Sequence, residues 1–183
     1  IFWIIGIIVA AGLIGAFVVK GYNSLVVLKN RVENQAAQID VQLKRRADLI
    51  PNILETTKGY ARYEQDTLKS ITQLRTQILS AEDITDSYQA SEKLGKFTSQ
   101  IFAVGEQYPD LKANANFLQL QKELSETEDK ISKARQFYND TVTKYNDAIM
   151  VFPNSLLAGL FGFHRIALLE VKVSEKEVIK IEV

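Results

Sequence analysis

The sequence predicts an all-α protein: an N-terminal transmembrane helix, then an antiparallel up-and-down four-helix bundle of long helices, with a short C-terminal β segment. Three observations predict it. The first 19 of the 183 residues carry no charged side chain, the next ~130 repeat apolar residues at helical spacing, and the last 15 alternate apolar and charged residues. The corresponding divisions are residues 1–20 as anchor, 21–153 as helical bundle, 154–168 as an apolar membrane-proximal segment and 169–183 as a β-strand tail.

Ile1 to Val19 at ~1.5 Å rise per residue extends roughly 28 Å, close to the ~30 Å hydrocarbon core of a bilayer. Phe2 and Trp3 at one end and Lys20 and Tyr22 at the other suit the two interfaces. A cleaved signal peptide is the alternative, but its apolar region is normally only about 7–15 residues. The chain opens on Ile1 rather than methionine, so a preceding segment is expected. Lys20, Lys29 and Arg31 favour a cytoplasmic domain, while orientation follows from the balance of Lys and Arg on both flanks, of which this sequence displays one. Ala11, Gly12, Gly15 and Ala16 form two overlapping small-x-x-x-small pairs, and Gly12 and Gly15 are candidate oligomerisation residues because small side chains let helices approach in lipid.

After Gly21, Leu25, Leu28, Val32, Ala36, Ile39, Leu43, Ala47, Ile50 and Leu54 follow an eleven-residue repeat, an apolar stripe along one face of a nearly straight helix. Pro51 lacks a backbone donor and disfavours helical geometry at Ile50, so helix 1 is expected to reach about Leu49 and then to kink or give way to a new helix with the proline in its first turn. A second stripe runs through Ile53, Tyr60, Leu68, Ile71, Leu74 and Ile78. The polar stretch 80–87 supplies N-cap candidates and reads as a turn. Leu94, Phe97, Ile101, Val104 and Tyr108 mark helix 3, which Gly105 and Pro109 are expected to close. Phe117, Leu124, Ile131, Tyr138, Tyr145 and Phe152 recur every seven residues in helix 4, which Pro153 is expected to end. Helices of about 28, 29, 22 and 43 residues with short connections fit an up-and-down bundle. The competing arrangement joins helices 1 and 2 into one kinked rod of about 59 residues.

Residues 156–169 are apolar with Arg165 as the sole formal charge, too short to span and suited to the membrane surface or to capping the bundle. In the tail, Leu169, Val171 and Val173, then Val178, Ile179, Ile181 and Val183 interleave with Glu and Lys. This is the pattern of a strand whose open edge invites pairing with the tails of other copies, and it makes a homo-oligomer the expectation.

Composition narrows the chemistry. Lys plus Arg equals Asp plus Glu at 22 each, so no net field draws the chain to nucleic acid. There is no cysteine and one histidine, His164, which excludes thiolate chemistry and supplies no Glu-x-x-His pair for a di-metal bundle site. No phosphate-cradling loop, nucleophile elbow or H-E-x-x-H motif is present. The expectation is a protein without enzymatic activity or cofactor. The run Lys44, Arg45, Arg46 is flanked by Asp40 and Asp48, which weakens its field and favours a structural role.

The run YNSLVVLKNRVENQAAQIDVQLKRRADLIPNILETTKGYARYE and the later run GEQYPDLKANANFLQLQKELSETEDKISKARQFYNDTVTKYNDAIMVFP resemble the two hallmark stretches of the LemA family. With the anchor and the following GFH segment, the resemblance covers nearly the whole chain. It implies a membrane-anchored bundle of the bromodomain-like four-helix arrangement and little about activity, because the family has no well-established biochemical function. The apolar, strand-like tail departs from the family's proline-bearing acidic end.

In an up-and-down bundle the helix 1–2 and helix 3–4 turns meet at one tip. Arg45 and Arg46 are then expected near Asn114 and Asn116, and Asp48 and Asn52 near Tyr108, Asp110 and Lys112, with Glu106 beside them. This polar cluster is the candidate partner-binding site, its alternative being cap and turn satisfaction of helix ends. The functional expectation is a non-enzymatic scaffold or adaptor that self-assembles at the bacterial cytoplasmic (inner) membrane, in contact with the lipid bilayer. The alternative is a regulatory or substrate-presenting partner of another membrane protein, such as a protease or a stomatin-like assembly.

Overall fold

The computed structural model describes residues 2–63 and 65–170, and among them the regular structure is entirely helical. The helices are α1 (Phe2–Thr57), α2 (Gln65–Ser80), α3 (Ile84–Gln107), the single turn α4 (Pro109–Lys112), α5 (Ala115–Met150) and α6 (Asn154–Phe161). The chain divides into two compact units, the first made of residues up to 35 with 137–168, the second of 36–136 with Leu169 and Glu170.

The second unit contains α2, α3 and α4 with the C-terminal part of α1 and the N-terminal part of α5. Its core follows the stripes: Ile39, Leu43, Ala47, Ile50 and Ile53 from α1, Ile71 and Ile78 from α2, Leu94, Phe97, Ile101 and Val104 from α3, and Phe117, Leu124 and Ile131 from α5 are buried. Side-chain contacts fix the directions. Tyr88 meets Arg135 and Phe102 meets Phe117, so α3 and α5 run antiparallel. The rings of Tyr60 and Tyr108, just past α1 and α3, lie 6.1 Å apart and tilted at 55°, so those helices end at the same place.

Pro51 corrects the expected boundary. Helix 1 neither stops near Leu49 nor restarts at the proline; α1 continues through Pro51 to Thr57. The described break between helices 1 and 2 therefore covers residues 58–63, which also excludes the single rod and leaves α2 with 16 residues. The reason is a long-range hydrogen bond. In a helix the carbonyl of Ala47 would accept from the amide of residue 51, and proline has none. Arg75 of α2 fills the gap, its Nε donating to Ala47 O at 2.7 Å. An otherwise orphaned carbonyl is satisfied from a neighbouring helix, and the helix persists.

α1 ends through local chemistry. Thr57 Oγ1 donates to Ile53 O and Leu54 O, and Tyr63 Oη donates to Thr57 Oγ1 at 2.8 Å. Asp83 is the N-cap of α3, accepting from the Thr85 amide at 2.6 Å. Gly105 does not close α3, which runs on to Gln107; its missing Cβ is where the Phe117 ring lies. Pro109 opens α4 at its first position, so the expected helix 4 is divided into α4 and α5, with Asn114 Oδ1 capping the latter by accepting from the Asn116 and Phe117 amides. α5 ends at Met150, short of Phe152, which is three-quarters exposed and off the buried seam.

In the first unit, residues 2–19 of α1 are almost wholly exposed, and they supply the one segment among the described residues long and apolar enough to cross a membrane. Beyond Lys20, Gly21 is buried where a Cβ would stand 2.5 Å from Leu157 Cδ1 of α6. Gly162, at φ 72°, is the left-handed C-cap of α6. Residues 163–170 have irregular backbone and are strapped to α5: Asn146 donates to Ile166 O at 2.8 Å and accepts from Ile166 N at 2.9 Å. Tyr138 Oη donates to Ala167 O at 3.4 Å. Of the expected β tail only Leu169 and Glu170 lie in the described part, neither in a strand.

Candidate functional site

The most constrained polar arrangement is built around Arg46, in the second unit. Its side chain is 4 % exposed. The phase of α1 puts it there, because Arg46 lies seven residues from both Ile39 and Ile53, on the buried stripe, whereas Arg45 is a residue off and faces water. Nη1 of Arg46 donates to Ser91 O at 3.1 Å and to Ser91 Oγ at 2.9 Å, while Nη2 pairs with Glu128 of α5. Gly95, one turn after Ser91, leaves room for it, since a Cβ there would stand 3.4 Å from Nη1. One cation thus ties α1, α3 and α5 together. Burial pulls the guanidinium below its ordinary pKa, and the nearby Glu92 and Tyr88 oppose that pull. Arginine stays charged under such conditions, so the group serves as a fixed clamp.

Tyr88 and Arg135 extend the arrangement. Arg135 Nη1 donates to Tyr88 Oη at 2.9 Å. Desolvation raises the Tyr88 pKa, Glu92 raises it further, and Arg135 offsets part of the rise. Tyr63 is likewise raised by burial, with its hydrogen bond to Thr57 opposing.

The expected tip cluster is only partly assembled. Arg45 and Arg46 do not meet Asn114 and Asn116: Arg45 Nη2 is 3.9 Å from Glu123 Oε2 and Arg46 reaches Glu128, two and more turns further into α5. Asp48 pairs at 3.7 Å with Arg75 rather than approaching Asp110 or Lys112, and the exposed Asn52 offers its carbonyl to Thr56 Oγ1. The displacement follows from α1 continuing past Pro51, which moves these residues about two turns back from the end of the helix. At the end itself, Tyr60 faces Tyr108, Lys112 pairs with Glu106, the Tyr108 carbonyl accepts from the Lys112 amide, and Asp110 lies exposed in the first turn of α4. Asn114 is engaged in capping α5, and Asn116 is exposed. Sequence reasoning missed Ser91, Gly95 and Glu128 as partners of Arg46, and Arg75 as partner of the Ala47 carbonyl.

Of the residues proposed for self-association, Gly12 and Gly15 have no atom within 4 Å of a built Cβ and lie on an open helix face. Leu169 is buried. Val171, Val173, Val178, Ile179, Ile181 and Val183 lie outside the described residues. Among the described residues no three His, Asp or Glu side chains converge in a metal-holding group, and His164 is exposed.

The family model described as the LemA family matches residues 35–183. The chain is similar to protein LemA of Metamycoplasma hominis, 27% identical over 176 residues that cover 96% of this chain and 80% of that protein. It is also similar to magnetosome protein MamQ 2 of Paramagnetospirillum magneticum, 24% identical over 170 residues and covering 79% of this chain. Magnetosome protein MamQ of Magnetospirillum gryphiswaldense matches at 22% identity over 171 residues. The chain spans 62% and 63% of the lengths of these two magnetosome proteins.

Proposed function

The chain belongs to the LemA family, and from that premise we propose that it is a single-pass protein of the bacterial cytoplasmic membrane. In this reading it is a non-enzymatic scaffold or adaptor whose copies self-assemble at the membrane surface. The observation that carries the reading is α1 itself: one uninterrupted helix begins with an exposed apolar stretch of spanning length and ends inside a unit clamped by Arg46. The second unit is read as an up-and-down four-helix bundle, supported by the antiparallel α3 and α5, the shared end of α1 and α3, and the short connections between α1, α2 and α3. Self-association is supported by the unobstructed Gly12 and Gly15 on the span and by the period-two pattern of the tail.

The second reading, a docking partner for another membrane protein, is favoured by the end where Tyr60 meets Tyr108. Two tyrosines and the exposed Asp110, Lys112 and Asn116 give it the mixture of aromatic and polar groups that protein interfaces use.

Alkaline carbonate extraction of membranes tests the anchor. The full chain stays in the membrane pellet, and a chain beginning at residue 21 is released. Release of the full chain overturns the single-pass reading.

A further inference from the structure

We propose that α6 and the residues leading into it form a second membrane contact that lies in the headgroup layer beside the span and selects anionic lipid. The inference rests on the single-pass reading of α1 and adds a lipid-binding surface to it.

Three observations within the first unit carry it. The first is an apolar face with nothing over it: Val151, Phe152, Leu156 and Leu160 are each at least 60 % exposed, and Leu156 and Leu160 stand one turn apart on the outer side of α6. The inner side, Leu157 and Ala158, is buried. Large apolar side chains gathered so closely in the chain on a water-facing surface call for a partner.

The second is its height. Leu157 of α6 packs on Gly21, Tyr22 stacks edgewise on Phe161 at 4.9 Å and on Phe163 at 5.8 Å, and Gly21 and Tyr22 directly follow the last apolar residue of the span and Lys20. A helix fastened at that point lies where hydrocarbon gives way to headgroups, and aromatic rings favour that layer.

The third is charge. No Asp or Glu occurs among residues 1–32 or 148–169, while Lys20, Lys29, Arg31 and Arg165 do; Lys20, His164 and Arg165 are exposed, and the nearest acid in sequence, the exposed Asp147, lies one turn before Val151. An apolar face with more cations than acids along its flanking segments matches an anionic bilayer surface, each near-surface cation adding attraction that salt screens.

The test uses the full chain in vesicles of phosphatidylcholine with phosphatidylglycerol as the minority lipid, with a fraction of the lipid brominated near the headgroup end of the acyl chain. The native chain has one tryptophan, Trp3, which reports the span. A Trp3→Phe, Leu160→Trp variant reports α6. Emission from the variant is expected to fall by about a factor of two on bromination, as for a ring ~5–10 Å into the interface, and less when phosphatidylglycerol is left out. Because a variant could misfold, a Trp3→Phe, Leu156→Trp chain provides a second reporter, and helicity by circular dichroism qualifies both. Quenching of Trp3 with none at either α6 reporter overturns this inference and leaves the span standing, whereas no quenching of Trp3 overturns the span reading. α6 reporters shielded from aqueous iodide but untouched by bromination show a protein covering the patch, and this also overturns it.

Discussion

The continuation of α1 through Pro51 depends on a hydrogen bond that can be removed and replaced independently. Arg75 Nε supplies the donor that proline lacks, to the carbonyl of a fully buried residue, Ala47. The same guanidinium pairs loosely with Asp48, whose side chain is 67% exposed, so that contact adds only about 0–1 kcal/mol. The hydrogen bond from a charged donor to a buried carbonyl is worth about 1.5–3 kcal/mol, and Arg75→Met, which keeps the apolar stem, should cost about that much. In a Pro51→Ala background the alanine amide reaches Ala47 O along the helix, so Arg75→Met should then cost under about 1 kcal/mol. The coupling expected from the double-mutant cycle is therefore about 1–2 kcal/mol. Urea unfolding of the full chain in detergent, followed by helical circular dichroism, measures all four corners. Additive effects, with a coupling below about 0.5 kcal/mol, would refute the claim that Arg75 acts through the carbonyl left by the proline.

Three further outcomes follow from the geometry. Arg46→Met should destabilise by about 2–4 kcal/mol, because Ser91 loses both its bonds and Glu128 its partner, and Arg46→Lys should recover only part of this since an ammonium lacks the two-pronged geometry; denaturation midpoints decide it. Burial raises the tyrosine pKa of Tyr63, Tyr88 and Tyr145 above the ordinary value of 10.0, so above that pH the unfolded chain holds fewer protons than the folded one. Stability should then be flat with respect to these groups below pH 10.0 and fall as pH rises through their folded values, with Tyr88→Phe shallowing the slope in an alkaline titration of unfolding. Asn146→Ala removes both bonds to Ile166 and should increase amide exchange at Ile166 by tenfold or more, for about 1.4 kcal/mol or more of lost local stability, while leaving α3 protected.

What the sequence made legible was periodic. Leu25, Val32, Ile39, Leu43, Ala47 and Ile50 repeat on one helical face and are buried, and so are Phe117, Leu124, Ile131, Tyr138 and Tyr145 on their heptad seam. The uncharged N-terminal stretch likewise marked a helix long and apolar enough to cross a membrane. What failed was set by non-local partners. Pro51 reads as a kink or a helix boundary until Arg75, 28 residues from Ala47, is seen to satisfy that residue's carbonyl. With that boundary misplaced, every tip contact assigned to Arg45, Arg46 and Asp48 shifted by about two turns. Arg46 itself carried a usable signal, since a charged residue seven positions from both Ile39 and Ile53 lies on a stripe that is otherwise apolar. Reading Lys44, Arg45 and Arg46 as one charge run concealed it. Gly105 reads as a terminator for the same reason, because the ring of Phe117 that needs its missing Cβ belongs to another helix.

Native mass spectrometry of the full chain, released from its membrane in mild detergent, decides whether copies of this membrane-anchored scaffold assemble. A discrete multiple of the 20.6 kDa chain mass is expected, falling to smaller species when Gly12 and Gly15 are made bulky or residues 169–183 are removed. A single 20.6 kDa species across concentrations, with no co-purifying copy, would contradict it.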